Sequence, residues 1–303
     1  MEKRDKRTNE LWISEHQSDN MILSLRASAV LLNEKSAYQD ILLAETEEYG
    51  RMMLLDGAIQ ITERDEFCYS EMMAHVALCS HPDPKRVLIV GGGDGAVLRE
   101  VLRHGNVEKA TLIDIDRSVI EASRKFLPTI SVSLDDPRAD VQCLDAMEYV
   151  RNCRGEFDVA IVDSTDPVDF AAGLFTSPFY RDIFEALGDR GMMIAQTESP
   201  FTDTAVMQGA FSAMKEVFPL VRLYWGAMPT YPSGMWTYTV GTKSPDPSLP
   251  VREAPAGTRY YSSEVHKGAF ALPPFLTELL YESTGPLEFR SRPIDIKEEK
   301  SGR

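Results

Sequence analysis

The spacing of apolar residues changes along the chain. Between Leu11 and about Thr62 they fall in short runs separated by polar residues, which predicts short strands at Met21–Arg26, Tyr38–Glu45 and Gly50–Leu55, with a turn at Asp56-Gly57. From Glu66 to Leu78 the apolar residues Phe67, Met72, Met73, Val76 and Ala77 take helical spacing, and Pro82 and Pro84 then interrupt the chain. After Lys85 the pattern changes again. Val87-Leu-Ile-Val90 is wholly apolar, as expected of a strand buried on both faces. Further strands are predicted at Ala110–Asp114, Phe157–Asp163 and Met192–Ala195. Helices are predicted through Val97–Leu102, Val119–Phe126 (stopped before Pro128) and Phe179–Leu187. Strands alternating with helices give an α/β fold with a doubly wound, mostly parallel, Rossmann-like sheet. The expected division is a charged tail at 1–10, a small N-terminal β domain at 11–65, a Rossmann-like domain at 66–290 and a second tail at 291–303. A Pro-rich loop, Pro245–Gly257, precedes the last helical stretch.

Composition narrows the function classes. The 303 residues are 43% hydrophobic and 26% charged, ordinary for a soluble globular protein. Acidic residues outnumber basic ones 47 to 32, a net charge of −15, which argues against a nucleic-acid partner. A negative field suits cationic ligands, although acidity serves solubility equally well. Cys68, Cys79, Cys143 and Cys153 lack the two-residue gap of a zinc or redox motif and read as buried reduced thiols, with no metal site. Met1–Glu10 is charged, unlike a secretory signal, and no apolar run of about 18 residues suggests a membrane span. A cytoplasmic location is the default expectation.

Three motifs carry candidate chemistry. Gly91-Gly92-Gly93-Asp94-Gly95 links a strand to a helix, and Asp114 ends the next strand 23 positions after Gly91. Glycines let a ligand approach the backbone, and an acid at that place accepts from ribose hydroxyls. The loop lacks the Lys-Ser/Thr ending of a P-loop; an NAD site or a purely structural tight turn stays open, but Asp94 puts a carboxylate where a pyrophosphate would sit, which favours a cationic nucleoside such as a sulfonium. Cys143-Leu144-Asp145-Ala146 follows another strand, and Asp145 there suits either an adenine amino group or a turn. In Asp163-Ser164-Thr165-Asp166-Pro167 two carboxylates stand three apart past the end of a buried strand, where open α/β sheets bind ligands. One could deprotonate an ammonium group that the other holds, or the pair could simply cap a turn. Between Asp56 and Met72 the polar density is high, and residues such as Gln60, Glu66 and Ser70 read as solvated or capping. Tyr231 and Trp236 in a Pro/Gly loop could wall a pocket or only pack.

Together these segments resemble the spermidine synthase family of polyamine aminopropyltransferases, from about Leu11 to Leu280. The matching stretches include Tyr38–Ile41, Leu55–Phe67, Gly91–Glu100, Asp163–Pro167, Tyr231–Trp236, Arg259–Tyr261, Glu264–His266 and Phe270–Pro273. The resemblance implies a methyltransferase-type sheet. It also implies transfer of an aminopropyl group from decarboxylated S-adenosylmethionine, a co-substrate, to an amine such as putrescine, with no other cofactor. It implies Asp163 as base and Asp166 as acceptor anchor, with Tyr69, Tyr231, Gln196 and the Ser70 position around the acceptor. Gln39, Gly91, Gly93, Asp94, Asp114, Asp145 and Ala146 would meet the donor. A homodimer or homotetramer through the N-terminal strands follows in the same way. The rival readings are an S-adenosylmethionine methyltransferase and a non-catalytic paralogue that binds a nucleoside or polyamine.

The chain departs from the family pattern at six places. Ser70 replaces a His or Gln, Asp114 a Glu, Ala146 a Gly and Ala96 a Gly. Asp169-Phe170 replaces a Gly-Pro pair, and Ser262 an Asn. Asp169 is expected to add negative charge near the entrance and shift acceptor preference toward a longer polyamine or a guanidino amine.

Overall fold

The computed structural model describes residues 10–165 and 169–281. Apart from Glu10, the expected N-terminal tail lies outside these residues, as does the tail at 291–303. The first sheet is antiparallel, with β1 (Leu11–Ser18), β2 (Met21–Lys35), β3 (Asp40–Thr46), β4 (Gly50–Leu55) and β5 (Ala58–Thr62) in sequential order. β2 is 15 residues long, not the short strand its interrupted apolar pattern suggests. Only Ala27 of β2 is buried, so little of its length records a core face.

The chain then alternates: α1 (Glu66–Ser80), β6 (Arg86–Gly91), α2 (Ala96–Leu102), β7 (Lys109–Asp114), α3 (Arg117–Phe126), β8 (Ala139–Cys143), α4 (Ala146–Val150), β9 (Phe157–Asp163), α5 (Ser177–Ala186) and β10 (Leu187–Gln196). It closes with α6 (Thr204–Lys215), β11 (Leu220–Ala227), β12 (Met235–Thr242), α7 (Ser263–Ala269) and α8 (Pro274–Tyr281). The second sheet has the order β11-β12-β10-β9-β6-β7-β8, with β12 antiparallel to both neighbours and the rest parallel. This is the expected doubly wound fold. Its helices cover both faces. Residues of α1 and α2 pack with Val87, Ile89, Val159 and Ile161 on one face, and residues of α4, α5 and α6 with Leu88, Val90, Ala160 and Val162 on the other.

α1 differs from the amphipathic helix that its spacing predicts, because every residue except Phe67 is buried. Its polar side chains are therefore not solvated. Glu66 takes Arg99 Nη2 on both oxygens, at 2.9 and 2.8 Å, and Glu71 accepts the backbone N–H groups of Arg259, Tyr260 and Tyr261. Such pairing offsets the cost of burying charge. α3 joins the two sheets, since its Val119 and Ala122 pack with Ile41, Leu43 and Met53. No helix among the described residues is long and apolar enough to cross a membrane. The four cysteines are free thiols, with Cys68, Cys79 and Cys153 buried and Cys143 half-buried.

Candidate active site

The strand order reverses between β6 and β9: β7 and β8 continue to one side, β10 and β12 to the other. Open α/β sheets bind ligands at such a switch point, beyond the carboxyl ends of the strands. Gly91 ends β6, Asp163 ends β9, and the two are paired in register. A cavity of about 450 Å³ opens there, between the second sheet and the strands of the first. Eight carboxylates line it, among them Asp94, Asp114, Asp163 and Glu198. No Lys or Arg among the described residues does so.

The glycine loop is needed for shape. Gly91 has φ +79°, and a Cβ there would lie 2.2 Å from the Asp163 carbonyl oxygen. A Cβ on Gly93 would lie 2.6 Å from Asp114 Oδ2, the atom that accepts the Gly93 N–H at 2.9 Å. Asp114 also accepts the Asp116 N–H on Oδ1 at 2.8 Å. Burial nevertheless pushes its carboxyl up to about 6, against those two hydrogen bonds. Asp94 accepts the Ala96 N–H at 2.7 Å, and burial raises its pKa too.

Asp163 is half-buried in the cavity wall and accepts from the Tyr69 hydroxyl at 2.7 Å. Burial raises its carboxyl well above the ordinary carboxylate range. The nearby Asp94 charge adds to this, and the Tyr69 hydrogen bond opposes it. Tyr69 in turn faces Tyr231, with ring centroids 5.6 Å apart. The Tyr231 hydroxyl donates to the Gln60 carbonyl at 2.6 Å. Asp65 holds this loop by accepting from Thr230 N and Oγ1 at 3.1 and 2.8 Å.

The other expected residues are distributed as follows. Gln39, Gly91, Gly93 and Ala146 line the cavity. Asp145 lines it from an exposed position and is also the N-cap of α4, accepting from Met147 N at 2.8 Å. Gln196 is buried at the end of β10, and its Nε2 donates to Glu198 Oε1 at 2.9 Å and to the Ser164 carbonyl at 3.1 Å. Ser70 is not brought to the cavity. One residue beyond Tyr69 on a helix, it turns away and gives its hydroxyl to the Glu66 carbonyl and Oε2 at 3.0 and 2.9 Å. Asp166 lies outside the described residues, as do the side chains of Asp169 and Phe170 on which the expected acceptor shift depends.

Three comparisons with known proteins bear on this geometry. The family model described as Spermine/spermidine synthase domain matches residues 66–250, and that described as Spermidine synthase tetramerisation domain matches residues 11–63. The polyamine aminopropyltransferase of Caldicellulosiruptor bescii is 50% identical over 274 residues, covering 89% of this chain and 98% of that protein. The chain belongs to the spermine/spermidine synthase family. The polyamine aminopropyltransferase of Bacillus subtilis is 46% identical over 275 residues, 90% of this chain and 99% of that one. The solved spermidine synthase of Thermotoga maritima superposes with a TM-score of 0.85 at 45% identity, covering 89% of this chain and 94% of that one. A spermidine synthase crystallised with the transition state analogue AdoDATO superposes with a TM-score of 0.87 at 44% identity and the same coverage.

This family member also places residues at the site that the sequence did not single out. Asp116 caps α3 and accepts from Gln39 Nε2 at 2.9 Å and Ser36 Oγ at 2.6 Å, which fixes the Gln39 amide. Glu15 is the one buried residue of β1; it accepts the Ile59 N–H at 2.8 Å and lines the cavity. Glu198 lines it too, 3% exposed, with φ +66°. A non-glycine residue held there costs about 1–3 kcal/mol and is found mainly where function asks for it. The legible signal for Asp116 was an Asp two residues before a Ser at a helix start. Glu15 and Glu198 had none.

Proposed function

We propose that the chain transfers an aminopropyl group from decarboxylated S-adenosylmethionine to a small amine such as putrescine and releases 5′-methylthioadenosine. The observation that carries this reading is the charge of the cavity, with eight carboxylates and no Lys or Arg among its described lining residues. Both substrates are cations and gain there. A methionine carboxylate would meet Asp94 and Asp163, so the methyltransferase reading is not favoured.

On the donor side, Asp114 takes the ribose hydroxyls, and Asp145 with Ala146 takes the adenine. Gly91 and Gly93 let the nucleoside lie against the backbone. Gln39, held by Asp116, together with Asp94 and Asp163 faces the aminopropyl arm. On the acceptor side, Tyr69 and Tyr231 flank the amine, Gln196 and Glu198 receive its far end, and Asp166 anchors it. Asp163 first takes a proton from the ammonium group that will react, which frees the nitrogen lone pair to attack the aminopropyl carbon bonded to sulfur. The carbon–sulfur bond breaks, its electron pair stays on sulfur as a neutral thioether, and the positive charge passes to the new secondary ammonium. The sulfonium is itself the leaving group, so the protein supplies orientation and a base. A raised carboxyl pKa narrows the gap to an ammonium group, and Tyr69 aims the carboxylate.

The exposed apolar residues Leu11, Trp12, Ile22 and Val30 of β1 and β2 suit burial between copies as a homodimer or homotetramer, in keeping with the matched tetramerisation domain. We place this activity in the cytoplasm and expect no nucleic-acid partner. Incubation with decarboxylated S-adenosylmethionine and a panel of amines tests the reading. Methylthioadenosine and an aminopropylated amine should form in equal amounts. Donor binding without product from any amine would overturn it.

A further inference from the structure

Beneath Glu198 lies a group of threonines that the reaction as described does not use. Thr197, Thr237 and Thr239 are fully buried. Thr237 and Thr239 sit two apart on β12 and so point to one face of the sheet. An aliphatic side chain would fill that space without the cost of burying a hydroxyl, so each hydroxyl has to be offset by bonds. Thr197 Oγ1 lies 3.1 Å from Thr237 Oγ1 and 3.2 Å from Thr239 Oγ1. Thr237 does more: its Oγ1 is 2.8 Å from the Glu198 carbonyl and 3.0 Å from that of Thr197, and its own N–H donates to the Glu198 carbonyl at 3.0 Å. The single hydroxyl proton has the Glu198 carbonyl as the nearer of its two carbonyl acceptors, so hydroxyl and N–H of one residue converge on that oxygen.

The other end of Glu198 is held as well. Its N–H donates to Gln196 Oε1 at 3.1 Å, while Gln196 Nε2 donates to Glu198 Oε1 at 2.9 Å. Glu198 is therefore clamped on its N–H, its carbonyl and its carboxylate, at a residue with φ +66°. A left-handed Glu relaxes unless its surroundings over-determine it. The regular register of β10 with β12 ends at Gln196 and Tyr238, and two further backbone bonds, Thr197 N–H to the Thr237 carbonyl at 2.9 Å and Thr237 N–H to the Glu198 carbonyl at 3.0 Å, carry the pairing on to Glu198, where the Thr237 hydroxyl adds to them.

We propose that Thr237 is a positioning residue for amine recognition: its hydroxyl and N–H lock the Glu198 carbonyl and thereby aim the Glu198 carboxylate at the acceptor end of the cavity. This rests on the aminopropyl-transfer reading above. Thr237 touches neither substrate. It sets how well the amine is held and leaves the donor and the chemical step nearly untouched.

Steady-state kinetics with separate variation of donor and amine test this. Thr237→Val keeps the shape and removes the hydroxyl, and it should raise the amine KM about ten-fold, while kcat and the donor KM stay within about three-fold. Thr237→Ser, which keeps the hydroxyl but loses a methyl, should recover the wild-type amine KM. A purely packing role predicts the reverse, with serine at least as impaired as valine. Thr239→Val, which removes a hydroxyl that reaches only Thr197 among the described residues, should leave the amine KM unchanged. In a Glu198→Gln background Thr237→Val should add nothing, because both changes act through one carboxylate. Thr237→Ala replaces the valine variant if valine is not accommodated. An unchanged amine KM in the valine variant, or full additivity with Glu198→Gln, would overturn the proposal. A wild-type protein that releases no methylthioadenosine in the same assay would instead sink the aminopropyl-transfer reading.

Discussion

On the proposed donor side of the cavity, acidic side chains are held by backbone N–H groups a few residues away or one strand over. Asp94 takes Ala96, Asp145 takes Met147, and Asp114 takes Asp116 and Gly93. On the acceptor side the ties run across the chain. The Tyr231 hydroxyl reaches Gln60, Glu15 takes Ile59, Asp65 takes Thr230, and Tyr69 meets Asp163. One half is a set of strand–turn–helix units at the ends of parallel strands. The other is assembled from β1, β5, α1, the end of β10 and the loop before β12. The donor half should thus be sensitive to the backbone path and the acceptor half to individual side chains.

Two substitutions put this contrast at risk. The larger effect is expected from Gly91→Ala, which adds a methyl 2.2 Å from the Asp163 carbonyl at φ +79°. It should weaken donor binding at least about 100-fold by calorimetry, because the loop and Asp163 must move apart. Donor affinity equal to wild type would break the account of a backbone-defined half. A smaller effect is expected from Tyr231→Phe, which frees the Gln60 carbonyl and loosens one wall. The amine KM should rise about five-fold with donor affinity unchanged in a titration. Equal losses for donor and amine would show that the two halves are not separable.

The same contrast explains what was legible in the sequence. The buried runs at β6 and β9, the glycine loop and Asp114 are local patterns of spacing, and the doubly wound sheet followed from them. β11 and β12 did not stand out, because Thr237 and Thr239 look solvent-facing although both are buried among other hydroxyls. α1 looked amphipathic because Glu66, Glu71 and His75 find their partners on α2 and in the 259–261 loop, far along the chain. Glu15 and Glu198 were invisible for the same reason: a single carboxylate in a strand or turn reads as surface until the partner strand covers it. Ser70 does not line the cavity because, one residue beyond Tyr69 on α1, it is turned toward Glu66, a matter of helical phase that a family position does not carry. The alternatives left open for Asp145 both fit the structure, since it caps α4 and also faces the cavity.

The central claim is that Asp163 takes the proton from the attacking amine. The pH dependence of kcat/KM for the donor tests it most directly, in wild type and in Asp163→Asn. In the proposed role the reactive form of Asp163 is the carboxylate, and burial with the Asp94 charge raises its pKa. Wild-type activity should therefore fall as pH drops through a midpoint well above the usual carboxylate range, about 4. Asp163→Asn should still bind the donor, turn over about 10²–10⁴-fold more slowly, and lack that acid limb. A variant that stays within about five-fold of wild type and keeps the same limb would contradict the assignment of Asp163 as the base.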